Sequence, residues 1–383
     1  MKNIGIITFH FPHNVGAVLQ CVALQKKIQY MGATPYVIDY RPKYHTDMYK
    51  AIRNPFLGAY AHVKAFNNRG IFHSIYMYAR HFISICISNL SAKDTLDREN
   101  KFNIFINENL NLTKRYTSNQ ALRMEPPKCD IYICGSDQIW NSDITNGCID
   151  DAYYLNFGNE FVKRVAYAPS AQIKSEQLEE IIKLLKKFEL ISVREIDSQK
   201  QLMEAINKEI SVQVDPTLLL ERSEYKEFEK DINLKGYILF YGLKTKKSQG
   251  MLRFLKKIRE YTNLPVVDIS ANEWKISAEY RNSTVEPGEF LGYIKNASYV
   301  VTNSFHGTVF SLMYHVPMWC FIPSLKGTRI SNLLIQLGLE NRIIEKCENV
   351  DLEEKVDFTL VDERLSMLRK QAEDFLMTAI WGK

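Results

Sequence analysis

One recurring unit constrains the fold of this chain more than any other feature. A short apolar run ends in a polar turn, and an apolar pattern at helical spacing follows. Ile4 to Phe9 is the first run, and Val15 to Met31 follows it with Leu19, Val22, Ala23 and Ile28 among its apolar positions. Gly32 closes that helix, and Pro35 to Asp39 is the next run. A strand, a helix and a second strand in so short a span read as a parallel pair joined by a crossover. The unit returns at Asp130 to Cys134, Arg164 to Ala168, Leu190 to Val193 and Val212 to Val214, with the amphipathic stretch Glu176 to Phe188 among them. A charged connector, Glu221 to Lys235, leads to a second series: Tyr237 to Tyr241, a helix over about Ser248 to Tyr261, Pro265 to Ile269, Tyr299 to Val301 and Met318 to Phe321. The tail, Glu363 to Ile380, is helical by pattern. Two series predict an α/β protein with mostly parallel sheets and a cleft between two domains, which 383 residues can supply.

Residues 41–125 interrupt this rhythm. Over 41–128 the chain holds 14 Lys and Arg against 6 Asp and Glu, a local excess of +8 in a chain of net +5. Ile75, Tyr78, Phe82, Cys86 and Leu90 form a helical stripe there. Such a segment suits a polyanion or an anionic membrane surface, and a solvated face is the alternative. A helix packed on the first domain would show the same stripe. Seven scattered cysteines, with no CxxC pair, fit reduced thiols in a cytoplasmic protein better than a disulfide frame or a zinc site. The start, MKNIGIITFHF, is too short and too quickly interrupted by His10 and Pro12 to read as a signal peptide, and no apolar run has the length of a membrane span. Asp150-Asp151 is a bare acidic pair, so no metal site is expected.

In such a fold the strand ends carry the chemistry, because open α/β sheets bind ligands outside their carboxyl ends. Residues 299–312, YVVTNSFHGTVFSL, pass from strand to helix through Ser304, His306, Gly307 and Thr308. A helix start offers N–H groups to an anion, Gly307 permits close approach, and His306 can carry a proton near neutral pH. Ser304 and Thr308 can bond a ligand or cap the helix. The first strand ends in His10, Pro12, Asn14 and Gly16; the spacing is neither GxGxxG nor a Walker loop, and Asn14 is an N-cap candidate. Asp137, Gln138, Trp140 and Asn141 follow the third strand and could bind a sugar by hydrogen bonds and stacking, or form a tight turn over a core indole. Arg194 could grip a carboxylate or phosphate, or simply pair with Glu195. Asp215, before Pro216, reads as an N-cap sooner than as a base.

Taken in order, ITFHFPHNVGAVLQ (7–20), VIDYRP (37–42), CGSDQIWN (134–141), RVAYAPSA (164–171), ISVRE (191–195), VDPTLLL (214–220) and VTNSFHGTVFSL (301–312) resemble the polysaccharide pyruvyl transferase family. The resemblance implies a GT-B-like architecture, two Rossmann-like domains whose parallel sheets face an interdomain cleft. Residues 1–222 would form the N-terminal domain, on the acceptor side, with the basic, aromatic insertion at about 43–125. Residues 223–361 would carry the His306 motif, and 362–383 a terminal helix with the first domain as its candidate packing partner. The implied reaction moves pyruvate from phosphoenolpyruvate to two hydroxyls of a sugar in a surface polysaccharide or its lipid-linked precursor, closing a cyclic ketal. No cofactor beyond that donor, no metal and no nucleic acid is expected, and the implied place is the cytoplasm, at the inner face of the plasma membrane if the acceptor is lipid-linked.

By the same resemblance His306 is the catalytic histidine and Arg194 holds the donor. Ser304 stands where several members carry arginine, so a second donor-binding cation is expected from Arg329 or Lys326. Ser304, Gly307 and Thr308 join the donor set. His10, Asn14, Gln138, Trp140 and Asn141 are the acceptor candidates, and Asp137 or His10 would deprotonate the acceptor. A GT-B glycosyltransferase using a nucleotide sugar and a non-catalytic glycan-binding protein are the competing readings.

Overall fold

The computed structural model describes residues 1–49, 76, 78–80, 82–83, 92–145, 147–243, 249–271, 274, 276–322, 329–344 and 350–382. Lys326 and most of the Ile75 to Leu90 stripe lie outside the described residues.

Two six-stranded sheets, parallel at every pairing, organise the chain. In the first, β1 (Asn3–Ile7), β2 (Thr34–Val37), β3 (Ile131–Cys134), β4 (Lys163–Ala166), β5 (Leu190–Val193) and β6 (Ser211–Val212) run in the order β2-β1-β3-β4-β5-β6. In the second, β7 (Ile238–Tyr241), β8 (Val266–Asp268), β9 (Tyr280–Arg281), β10 (Tyr299–Thr302), β11 (Met318–Phe321) and β12 (Ile343–Ile344) run in the order β9-β8-β7-β10-β11-β12. The second order is that of a Rossmann sheet, and together the two sheets give the GT-B-like α/β plan. Strands buried on both faces need continuous apolar runs, and Ile131–Cys134 and Ile238–Tyr241 are buried at every position. Trp140–Asn141 and Ala171–Gln172 add a small parallel pair beside the first sheet. The edge strands β9 and β12 have only two residues each, too short to show a period in the sequence.

The strand order reverses between β1 and β3 in the first sheet and between β7 and β10 in the second. These switch points leave crevices at the carboxyl ends. Helix α1 (Val15–Tyr30) starts at the first crevice, capped by the Asn14 side chain, which accepts from the N–H groups of Gly16 and Ala17. Two further helices cross between the domains. Arg98 of α2 (Ala92–Asn109) donates to the carbonyl of His13 at 2.8 Å and to that of Ser283 at 2.9 Å. Lys101 reaches Glu289, on α3 (Pro287–Asn296), at 3.2 Å, and α3 also packs on α1. One apolar core runs through the boundary, from Ile6, Val18 and Val22 to Phe290, Val300 and Val309 of α4 (Phe305–Met313). Helix α5 (Arg329–Gln336) lines the cleft. The last helix, α6 (Phe358–Trp381), returns to the first sheet: Trp381 Nε1 donates to the Met31 carbonyl at 3.1 Å, and Arg369 Nε to that of Leu218 at 3.0 Å. Arg364 of α6 also donates to the Leu337 carbonyl, so α2 and α6 each tie the two domains together.

Candidate active site

The polar centre of the molecule is an ion cluster built from both sheets. Arg194 follows β5, and Asp215 lies just beyond β6. Its Oδ1 accepts from the Thr217 N–H at 3.0 Å and hydroxyl at 2.7 Å, so the expected cap is present. Its Oδ2 has a second role: it accepts from Arg194 Nη1 and, at 3.2 Å, from the Ser136 hydroxyl. Arg194 Nε also pairs with Glu195 at 3.2 Å. Burial works against both charges but does not prevail. The polar contact with His306 and the Arg194 charge hold Asp215 well below the usual carboxylate range, and Glu195, Asp215 and Asp137 hold Arg194 above its ordinary value.

His306 enters from the second sheet, one residue into α4. Ser304 is the N-cap, its hydroxyl accepting from the Gly307 N–H at 3.3 Å. His306 Nε2 lies 3.8 Å from Asp215 Oδ2, and no hydrogen-bond partner meets that nitrogen among the described residues. The far edge of the ring lies against Gly16. A Cβ on Gly16 would stand 1.8 Å from His306 Nδ1, so only glycine leaves room for the ring there. The two switch-point crevices thus meet at one imidazole.

Beside the cluster is a cavity of about 350 Å³, lined by Arg194, Asp215, Phe305 and Arg329 with apolar and amide groups from α5 and α6. Phe305 is flanked by cations: the Arg194 guanidinium carbon lies 5.1 Å from its ring centre and that of Arg329 lies 5.8 Å away. Arg329 also faces Asp137, 4.0 Å off. Burial and the neighbouring Arg194 lower the Arg329 pKa, as expected of two cations sharing one small space. Arg194 Nη2 is buried without a partner among the described residues. Few buried donors go unmet in a folded protein, so a cation with an unmet donor beside a cavity marks a seat for an anion.

Other sequence-predicted residues have different places. His10 is fully buried, with Nε2 2.9 Å from Asp39 Oδ1 and Nδ1 3.2 Å from the Thr8 carbonyl, so it neither touches nor deprotonates an acceptor. Trp140 is a core residue: its Nε1 donates to the Tyr153 carbonyl at 3.1 Å and its ring stacks on Tyr154. Asn141 donates to Gln138 Oε1 and Gln172 Oε1 and accepts from the Asp143 N–H, which uses its whole amide and the Gln138 amide oxygen internally. Thr308 is fully buried and donates to the Ser304 carbonyl at 3.1 Å. Gly307 makes room for Thr302, whose Oγ1 would lie 2.5 Å from an added Cβ, rather than for a ligand. Asn14 is a cap, as one of its two readings had it. Asp137 stays near the centre, in the left-handed region at φ 71°, with Oδ1 accepting from the Gln138 N–H at 2.8 Å. Sequence reasoning missed Gly16 as the seat of His306 and Asp215 as the shared partner of Arg194 and His306. Both contacts join segments far apart in the chain and have no local signature. Among the described residues no cluster of His, Cys, Asp or Glu is placed to hold a metal ion, and no helix is long and apolar enough to cross a membrane.

Comparison with solved structures finds distant likenesses along almost the whole chain. The UDP-GlcNAc 2-epimerase of Methanocaldococcus jannaschii, solved with UDP-GlcNAc and UDP, is 12% identical, with 96% of this chain and 92% of that one covered and a TM-score of 0.47. The UDP-N-acetylglucosamine 2-epimerase of Rickettsia bellii is 9% identical over 100% of both chains, with a TM-score of 0.44. The calicheamicin glycosyltransferase CalG4 is 12% identical, with 99% and 95% covered and a TM-score of 0.42. No curated protein matches the sequence. The family model for polysaccharide pyruvyl transferases matches residues 14–324, a span that holds Gly16, Arg194, Asp215 and His306, and the chain belongs to that family.

Proposed function

We propose that this protein moves pyruvate from phosphoenolpyruvate to two hydroxyls of one sugar, as a cyclic ketal, with release of phosphate. The observation that carries the reading is the unmet Arg194 Nη2 at a small cavity that Arg329 also lines, beside an imidazole with an unbonded nitrogen. Phosphoenolpyruvate is a compact trianion at most, and two guanidinium groups across one cavity suit its carboxylate and phosphate. Arg329 supplies the second cation that Ser304 does not.

In this reading a proton adds to C3 of the donor and turns its methylene into a methyl group. Positive charge develops at C2 and is shared with the ester oxygen. The first sugar hydroxyl attacks C2 and loses its proton. The C2–O bond to phosphorus breaks, and phosphate leaves with its electron pair and takes up a proton. The second hydroxyl then closes the ketal and loses its proton, so two protons leave the sugar, one balanced at C3 and one on phosphate. His306 is the acid that serves C3 or the leaving phosphate. Asp215, always charged near neutral pH, steadies the imidazolium form. Of the two further carboxylates near the centre, Glu195 pairs with Arg194 and Asp137 is assigned the acceptor's proton. A lipid-linked acceptor would bring the protein to a membrane face.

The reading is tested by incubating the protein with phosphoenolpyruvate and a panel of glycan acceptors. The expected result is phosphate release matched by a mass gain corresponding to a pyruvate ketal. Sugar transfer from a nucleotide sugar, with no ketal on any acceptor, would replace it with the glycosyltransferase reading.

A further inference from the structure

A second cavity, of about 820 Å³, is lined in part by the loop that leads to Gly16. Phe11 and His13 of that loop form one wall, and Arg41, Lys43 and Arg115 supply its cations. The two arginines are held in an unusual way. Arg41 Nε donates to Asp39 Oδ1 and Arg115 Nε to Asp39 Oδ2, at 3.0 Å for the latter, so one buried carboxylate anchors both guanidinium groups by their inner nitrogens. Asp39 is itself held by His10 at 2.9 Å. No described group bonds the terminal amino groups of either arginine or the Lys43 ammonium. Three cations thus stand against Asp39 and one acidic wall residue, Glu99. The field is felt next door: burial and the charges of Arg98 and Arg41 push His13 down to about 4.

We infer that this cavity holds an anionic group of the acceptor, a phosphate or a carboxylate, whose sugar is the one that receives pyruvate at His306. The inference rests on the pyruvyl-transfer reading for what happens at His306. The connection between the two places is covalent and short, since Phe11, His13 and Gly16 belong to one loop and helix start. Arginine forks with anchored Nε atoms are preorganised to present paired N–H groups to one anion. This arrangement also gives His10 and Asp39 a purpose, as a buried base that fixes the forks.

The test uses the full chain, saturated with phosphoenolpyruvate so that the first cavity is filled, titrated by calorimetry with pyrophosphate and, separately, with glucuronate. Lys43 and Arg115 are at least half exposed or on the surface, so Lys43→Ala with Arg115→Ala should fold. Binding by the wild type is expected, with affinity at least tenfold lower in the double variant. Preference for pyrophosphate marks the group as phosphate, and preference for glucuronate marks it as carboxylate. Arg329→Ala should weaken phosphoenolpyruvate and leave the second anion unaffected. Equal affinity in wild type and double variant, or no binding of either anion to the wild type, overturns the inference. Failure of phosphoenolpyruvate alone to bind, with Lys43- and Arg115-dependent anion binding intact, overturns the donor reading and leaves the cavity's assignment standing.

Discussion

Two strand-end regions look alike in sequence and differ in the folded chain. The turn after β3 carries Asp137, Gln138, Trp140 and Asn141, and the cluster after β5, β6 and β10 carries Arg194, Asp215 and His306. Both are rich in polar groups beside a carboxyl edge. In the turn, the Trp140 indole and the Asn141 amide are spent on their neighbours. In the cluster, Arg194 Nη2 and His306 Nε2 remain without partners among the described residues, although both are buried. Desolvating a donor without a bond costs about 1–3 kcal/mol, more for a charge, and selection for stability alone would remove it. Ser142 Oγ of the turn is also unmet among the described residues, so what separates the site is an unmet charged donor that lines a cavity.

The largest test of that contrast is His306→Ala. The variant leaves a void beside Gly16 and takes one polar partner from Asp215, so the melting temperature should fall but a cooperative unfolding transition should remain, while kcat per folded molecule for ketal formation should fall about 100- to 10,000-fold. Turnover near the wild-type rate would remove His306 from the chemistry. Trp140→Phe should do the reverse. It leaves the Tyr153 carbonyl unmet and a void beside Tyr154, for a loss of about 2 kcal/mol in denaturant unfolding, with kcat per folded molecule unchanged. A stable Trp140→Phe protein without activity would return the indole to the acceptor site and end the contrast.

Much of the fold was legible because parallel strands buried on both faces leave apolar runs such as Ile131–Cys134 and Ile238–Tyr241, and because Gly32 and Asn14 punctuate a helix by local rules. The edge strands Tyr280–Arg281 and Ile343–Ile344 were not, since two residues carry no period. Within the site, His306 and Arg194 were legible from strand-end position. What they touch was not. Asp215 reads as a cap and is one, but its second oxygen belongs to a residue from another strand. Gly16 reads as part of a helix start, and its function is to leave space for a ring from the other domain. His10 was overread for the same reason: position suggested a ligand group, while Asp39, 29 residues on, takes its nitrogen.

His45 gives the smallest and most graded test, because it packs at the end of the first strand and feels the charge of Asp137. Its ring packs edge-on against Phe9 and Phe11, with centroids 4.6 and 5.0 Å away, and is 1% exposed. Burial, aided by His10 and opposed by Asp137, lowers its pKa to about 4. The unfolded chain takes up that proton near its ordinary value of 6.5. Between these two values the unfolded state binds more protons, so stability rises with pH there and falls as pH is lowered from 6.5 toward 4. At pH 5.5 the contribution is roughly 1 kcal/mol against the fold. His13, lowered to about 4 as well, adds in the same direction. His45→Phe, which keeps an aromatic ring between Phe9 and Phe11, should flatten part of the melting-temperature decline between pH 6.5 and 4.5. It should leave the pH profile of kcat in place if that profile belongs to His306. A variant whose melting curve keeps the full decline would show His45 already charged in the folded protein, and a shifted kcat profile would tie the aromatic wall to the chemistry next to it.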